Sequence, residues 1–213
     1  MNTDAMRGWP PSAFTKSDRT DDEAFYDQPR LVTHIDKAAV AALSAFYGAH
    51  LPSTGRILDL MSSWVSHLPA TVTGDVVGHG MNADELAANP RLKNWFVQNL
   101  NTQPDLPFGA ESFDAAVCCV GVQYLQQPDA VFADVARVLR QGAPCILSFS
   151  NRCFPTKAVA IWRALDGLGH AELVRLYLQR AGFDRVKAHV LRDRKTTDPL
   201  TVVIGYKSAT DSA

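Results

Sequence analysis

Short β-rich runs that alternate with helical patterns predict an α/β fold, a doubly wound and mostly parallel sheet, for this chain of 213 residues. Three observations carry that expectation. The alternation is sustained over about 150 residues, the length of one full-sized domain. Two runs, RILDL at 56–60 and FDAAVCCV at 113–120, read as buried strands, the second a continuous apolar run after Asp114, as expected in the middle of a parallel sheet. The last two strand-like runs flank a polar linker, RDRKTTDP, and read as an antiparallel pair closing the sheet.

Taken in order, residues 1–24 are polar and rich in Asp, Ser, Thr and Pro, which predicts a flexible N-terminal arm. From Leu31, apolar side chains recur at Val32, Ile35, Ala39, Leu43 and Phe46. That is the spacing of one amphipathic helix, ending near Gly48. Runs 56–60 and 71–78 read as the first two strands. Asn82 with Glu85 three residues on resembles a capping box, opening a helix that Pro90 should break or restart. Residues 95–100 make a third strand and 113–120 a fourth. Pro128 opens a helix with Val131, Phe132, Val135, Val138 and Leu139 on one face and Gly142 past its end. A fifth strand is expected at 143–150, then helical stretches through Ile161, Trp162 and Leu165 and from His170 to Gly182. Strands at 186–191 and 201–206 complete seven. One domain is expected over 25–207, a helix at 25–50 preceding a core at 55–206, with 208–213 as a disordered tail. In such sheets the ligand lies beyond the carboxyl ends of the strands, which singles out 60–64, 78–82, 99–101, 120–124 and 150–154.

Composition narrows the function. With 21 basic against 22 acidic residues the formal charge is -1, without the basic excess that marks nucleic-acid binders. The longest apolar run, 115–122, is far short of the ~20 residues a membrane helix needs. The first fifteen residues lack the charged start and apolar stretch of a secretory signal, so a cytoplasmic protein is expected. Cys118, Cys119, Cys145 and Cys153 form no paired framework and read as reduced, mostly core, thiols. No metal-ligand spacing, P-loop or G-x-G-x-x-G is present.

Leu106-Pro107-Phe108, Ser112-Phe113-Asp114 and Arg137-Val138-Leu139-Arg140-Gln141-Gly142, together with RILDL and the Ala181-Gly182-Phe183 turn, resemble class I S-adenosylmethionine-dependent methyltransferases, type 11-like. The resemblance implies a Rossmann-like doubly wound seven-stranded, mostly parallel sheet with an antiparallel C-terminal strand pair and an N-terminal helical lid. Asp59-Leu60-Met61-Ser62-Ser63-Trp64-Val65-Ser66-His67-Leu68-Pro69 and Ser148-Phe149-Ser150-Asn151-Arg152-Cys153-Phe154 are similar to a subgroup of methyltransferase-like proteins of plants and bacteria, which supplies no substrate. The family resemblance also implies S-adenosyl-L-methionine as cofactor and transfer to a small-molecule methyl acceptor; charge and apolar run length predict no nucleic-acid or membrane partner, and a monomer or homodimer is expected. The alternative is a non-catalytic protein of the same fold that binds a ligand or a protein partner.

This chain departs from the family at the cofactor. Met61, Ser63 and Val65 occupy the three glycine positions of the loop after the first strand, so Ser62 and Ser63 become candidates to hold the cofactor's carboxylate. The ribose acid is missing from Gly78-His79-Gly80-Met81-Asn82, leaving Asn82 as a ribose acceptor or simply a helix cap. The adenine acid is replaced by Asn99 or displaced to Asp105. Asp59, Met61, Ser62, Ser63, His79, Gly80, Met81, Asn82, Asn99, Leu100, Asn101 and Val120 form the implied cofactor set. Imidazoles titrate near neutrality, which makes His34 and His67 the candidate catalytic bases, against readings as locally bonded or solvent-facing side chains. His34 and Arg30 are expected one turn apart on the lid helix. Arg30, Trp64, Tyr124, Asn151, Arg152 and Phe154 are the substrate candidates. Arg152 suits an anionic group or, equally, an ion pair with a neighbouring acid.

Overall fold

The computed structural model describes residues 8–10, 12–193 and 197–209. Seven strands form one sheet: β1 (Arg56–Leu60), β2 (Asp75–Gly80), β3 (Leu92–Val97), β4 (Ala115–Cys119), β5 (Pro144–Phe149), β6 (Phe183–Arg192) and β7 (Leu200–Lys207). Their order is β3-β2-β1-β4-β5-β7-β6. β1 to β5 pair in parallel, while β7 runs antiparallel to β5 and β6. β1, β4 and β5 are central, covered on both faces, and nearly every residue in them is buried. The strand order reverses between β1 and β4, which flank the crevice where such sheets hold ligands.

The helices are α1 (Asp22–Tyr26), α2 (Lys37–His50), α3 (Ala83–Ala88), α4 (Pro128–Val138), α5 (Ala160–Ala164) and α6 (Gly167–Arg180). One buried cluster contains Phe132, Val135, Leu147, Val174 and Tyr177. In the other, Ala39, Leu43 and Tyr47 of α2 pack with Ile57, Val117, Ile146 and Val202. No described helix is long and apolar enough to cross a membrane.

Two expectations fail at the N-terminus. The arm foreseen over 1–24 is packed where it is described: Ala13 and Phe14 are buried, and Trp9 meets Phe14 and Tyr177 edge-on. The 13–18 segment bonds along 156–161 through Ala160 N to Thr15 O, Ile161 N to Ala13 O and Asp18 N to Thr156 O. Residues 1–7 and 11 of that arm, and 210–213 of the expected tail, lie outside the described residues. The helix expected from Leu31 begins at Lys37, because Asp36 caps it by accepting from Ala39 N at 2.7 Å. Arg30 and His34 therefore lie on the connection between α1 and α2 rather than one turn apart on a helix.

Candidate functional site

A cavity of about 600 Å³ opens beyond the carboxyl ends of β1 to β5, with Asp22, Tyr26 and residues 32–36 of the N-terminal segment in its wall. All five loops expected from the strand ends contribute to it.

Its floor is the turn after β1. Met61 adopts φ +54° there, and its N–H donates to His79 Nδ1 at 3.0 Å, while Ser62 N–H donates to His79 O at 2.6 Å. His79 Nε2 bonds Gln98 O at 2.9 Å. With Nδ1 accepting, Nε2 carries the proton, so one neutral imidazole ties β1, β2 and β3 together. Burial pushes its pKa down to about 4, against a smaller upward pull from the Gln98 carbonyl. Asp59, 3% exposed, is raised to about 6 by burial, opposed by the Ser66 and Ser62 hydroxyls. Ser62 Oγ donates to Asp59 at 2.7 Å and Ser63 Oγ to Glu85 at 2.5 Å. Both hydroxyl protons are thus held by carboxylates, and what these serines show the cavity is lone pairs. That suits an ammonium better than the carboxylate expected of them.

At the end of β2, Asn82 caps α3 by accepting from Glu85 N at 3.0 Å and donates to Tyr26 O and Asp27 O, each at 2.9 Å. Both protons of its amide are spent on the N-terminal segment, and its oxygen, already capping the helix, keeps one lone pair. After β3, Asn101 is a strut: it donates to Asp22 and Tyr124 O and accepts from Gln126 N. Asn99 Oδ1 accepts from Asn101 N, and its amide nitrogen makes no bond to a described residue. Asp105 is exposed and outside the cavity. Val120, at the end of β4, is held at φ +48°, an unusual conformation for a β-branched residue.

Another part of the wall is built by the N-terminal segment and the loop after β5. Burial lowers the pKa of His34, with a counter-pull from Glu85 and an added push from Arg30; burial and His34 together lower that of His67. Both rings are neutral at pH 7, and neither bonds a described residue. Tyr124 Oη accepts from Phe154 N at 2.8 Å, and the two rings stack at 6.1 Å. The Cys119 thiol is pushed up to about 12 by burial, so it is no nucleophile at neutral pH.

His34, His67, Asp59, Met61, Ser62, Ser63, His79, Gly80, Met81, Asn82, Asn99, Leu100, Asn101, Val120, Tyr124, Arg152 and Phe154 all line the cavity. Arg30, Trp64 and Asn151 do not. The Arg30 guanidinium donates to Phe25 O at 2.8 Å and lies 4.6 Å over the Phe25 ring. Trp64 Nε1 donates to Val32 O at 3.0 Å, pinning the lid. Asn151 is exposed and accepts from Ser150 Oγ. Arg152 pairs with Asp198 at 2.7 Å, the neighbouring-acid reading of that side chain. Sequence reasoning missed Glu85, Tyr26, Ser66, Asp36 and Asp198 as cavity residues. Glu85 left a signal in its capping-box spacing, and Ser66 stands within the Asp59–Pro69 motif.

This strand order, with a cavity at the reversal point, defines a class I methyltransferase architecture. Residues 53–147, a little under half of the chain, match the family model described as a methyltransferase domain. Among solved structures it is similar to the [4+2]-cyclase SpnF, at 13% identity and TM-score 0.60, covering 79% of this chain and 81% of that one. An S-adenosylmethionine-dependent methyltransferase from Methanosarcina mazei aligns at 17% identity and TM-score 0.54, covering 78% and 98%. Phosphoethanolamine N-methyltransferase 2 of Haemonchus contortus, in complex with S-adenosyl-L-methionine, aligns at 12% identity and TM-score 0.58, covering 79% and 52%. At these identities the likeness is one of fold. A comparison with curated protein sequences gives no match.

Proposed function

We propose that the protein transfers a methyl group from S-adenosylmethionine to a small-molecule acceptor. The donor set supports the cofactor: Asn99 offers an unbonded amide for a base edge, Met81, Leu100 and Val120 offer apolar contact, and Asp59 with Ser62 offers acceptors for an ammonium. The volume lies within the roughly 300–1,000 Å³ of ligand pockets. Bound there, the cofactor supplies an electrophilic methyl group. The observation that carries the reading is the pair of neutral cavity imidazoles, His34 and His67, whose nitrogens make no bond to a described residue. Such a ring can take the proton of a hydroxyl or amine acceptor, an effect of about 10²–10⁴ in rate. The enclosing N-terminal segment favours a small acceptor over a macromolecular one.

Calorimetric titration with S-adenosylmethionine and S-adenosylhomocysteine tests the cofactor. Heat from both is expected, and none from either at millimolar concentration overturns the reading. His34→Ala and His67→Ala should then leave cofactor affinity within about threefold while lowering labelled-methyl transfer to a hydroxyl and amine acceptor panel by about 10²–10⁴.

One observation favours a second reading, a ligand-binding protein without transferase activity. The Met61 and Ser62 amides, which in a glycine-rich loop approach the cofactor, are consumed by His79. Mass spectrometry of ligand copurified with the protein separates the two: an adenosyl compound supports the enzyme, an unrelated molecule the binding protein.

A further inference from the structure

We propose that Glu85 is the residue that binds the ribose diol in this cavity, reaching it from α3 because the end of β2 cannot carry a side chain. The assignment rests on the reading of the cavity as a nucleoside-cofactor site.

Five carboxylates line the cavity: Asp22, Asp36, Asp59, Glu85 and Asp198. Asp22 is neutralised by Lys16 at 2.5 Å and Lys157 at 3.3 Å. Asp36 and Asp198 each accept the other's backbone N–H, and Asp198 also pairs with Arg152. Asp59 already accepts from the Ser62 and Ser66 hydroxyls. Glu85 differs from all four. It is 9% exposed, makes no ion pair among the described residues, and has only a backbone N–H and a hydroxyl as donors. Arg30 N donates to Oε1 at 2.6 Å and Ser63 Oγ to Oε2 at 2.5 Å. An ionised carboxylate has about four acceptor sites, so each oxygen retains one. Two acceptor sites on the two oxygens, with no ion pair to a described residue, match two hydroxyls on adjacent carbons.

The local backbone explains why the carboxylate comes from a helix. A Cβ at Gly80 would lie 2.7 Å from Ser62 O and 3.1 Å from Leu86 Cδ2. Ser62 cannot retreat, because its N–H is bonded to His79 O. No acid fits at the strand end. Three residues into the Asn82 cap, Glu85 does not close the reciprocal half of a capping box. Its carboxylate turns to Ser63 and the cavity instead.

The test compares adenosine with 2′,3′-dideoxyadenosine by calorimetry on the wild type, Glu85→Gln and Glu85→Asp. The wild type should prefer adenosine by about ten- to a hundredfold, as expected for bonds to a charged acceptor. In Glu85→Gln that preference should fall below about threefold with dideoxyadenosine affinity unchanged, and Glu85→Asp, which keeps the charge but withdraws it, should fall between. Should Glu85→Gln not fold, the Asp variant and the wild-type ratio carry the test. A carboxylate that merely braces the lid would weaken both nucleosides equally and leave the ratio intact, which overturns the assignment alone. If the wild type binds neither nucleoside nor S-adenosylhomocysteine, the cofactor reading and this assignment fall together.

Discussion

The floor of the cavity and the lid beside it are held together in different ways. On the floor, short-range and neighbouring-strand bonds dominate: Ser62 to Asp59 three residues back, and Met61 through His79 to Gln98 across adjacent strands. Around the N-terminal segment, bonds join residues more than a hundred positions apart. Lys157 Nζ donates to Thr20 O at 2.7 Å, Trp9 Nε1 to Asp129 at 2.9 Å, and Asp36 and Asp198 exchange backbone donors. The floor is thus set once the strands pair, whereas the lid depends on the whole chain having come together.

The largest expected effect tests the lid. Asp22 is nine-tenths buried between Lys16, 6% exposed, and Lys157, 0% exposed, and also accepts from Asn101. Asp22→Ala leaves Lys16 without that carboxylate and Lys157 with Asp18, at 3.4 Å, as its one carboxylate among the described residues. Removing one member of a buried charge set costs about 3–5 kcal/mol. Denaturant unfolding should show that loss. A change below about 1 kcal/mol, the value of an exposed pair, would mean that the cluster is solvated and the lid held otherwise.

The same contrast decides what could be read from the sequence. β1, β4 and β5 were legible because strands covered on both faces are apolar for most of their length, and the five ligand loops followed from where the five parallel strands end. The lid was not. Over the first two dozen residues, polar side chains outnumber Trp9, Ala13 and Phe14, yet these few suffice because α4 and α6 supply Phe132 and Tyr177 to receive them. The stripe from Leu31 has helical spacing, but Asp36 as cap overrides it, so period alone misplaced His34 and Arg30. Glu85 was read only as a capping partner, because nothing in one dimension shows that Ser62 O blocks Gly80.

A pH series sharpens the description of the floor. Folding depresses His79 from 6.5 to about 4, so its contribution is complete above 6.5 and is lost as pH falls through 4. Folding raises Asp59 from 3.8 to about 6, so its cost is complete above 6 and is relieved as pH falls towards 3.8. Between about 4 and 6 the two slopes oppose each other, each reaching at most about 1.4 kcal/mol per pH unit. Burial lowers His34 and His67 as well, so the wild type still loses stability on acidification. Unfolding titrations from pH 7 to pH 4 should show a steeper acid loss in Asp59→Asn and a shallower one in His79→Gln. Parallel curves for all three proteins would place both groups in contact with water.

The smallest effect tests whether the floor stores strain. Val120 sits at φ +48° with its N–H on Ser148 O and its carbonyl accepting from Gln123 Nε2. The backbone is therefore fixed from both sides. Val120→Ala and Val120→Gly both lose the isopropyl contacts, but only glycine escapes the clash of a Cβ in the left-handed region. In ordinary backbone, glycine is the less stable of the two by roughly 0.5–1 kcal/mol, because it orders a freer chain. At position 120 the order should reverse, with glycine more stable than alanine by about 1 kcal/mol in paired unfolding measurements. Alanine equal to or better than glycine would show that the turn relaxes once the valine is gone, and that the conformation belongs to the side chain rather than to its two hydrogen bonds.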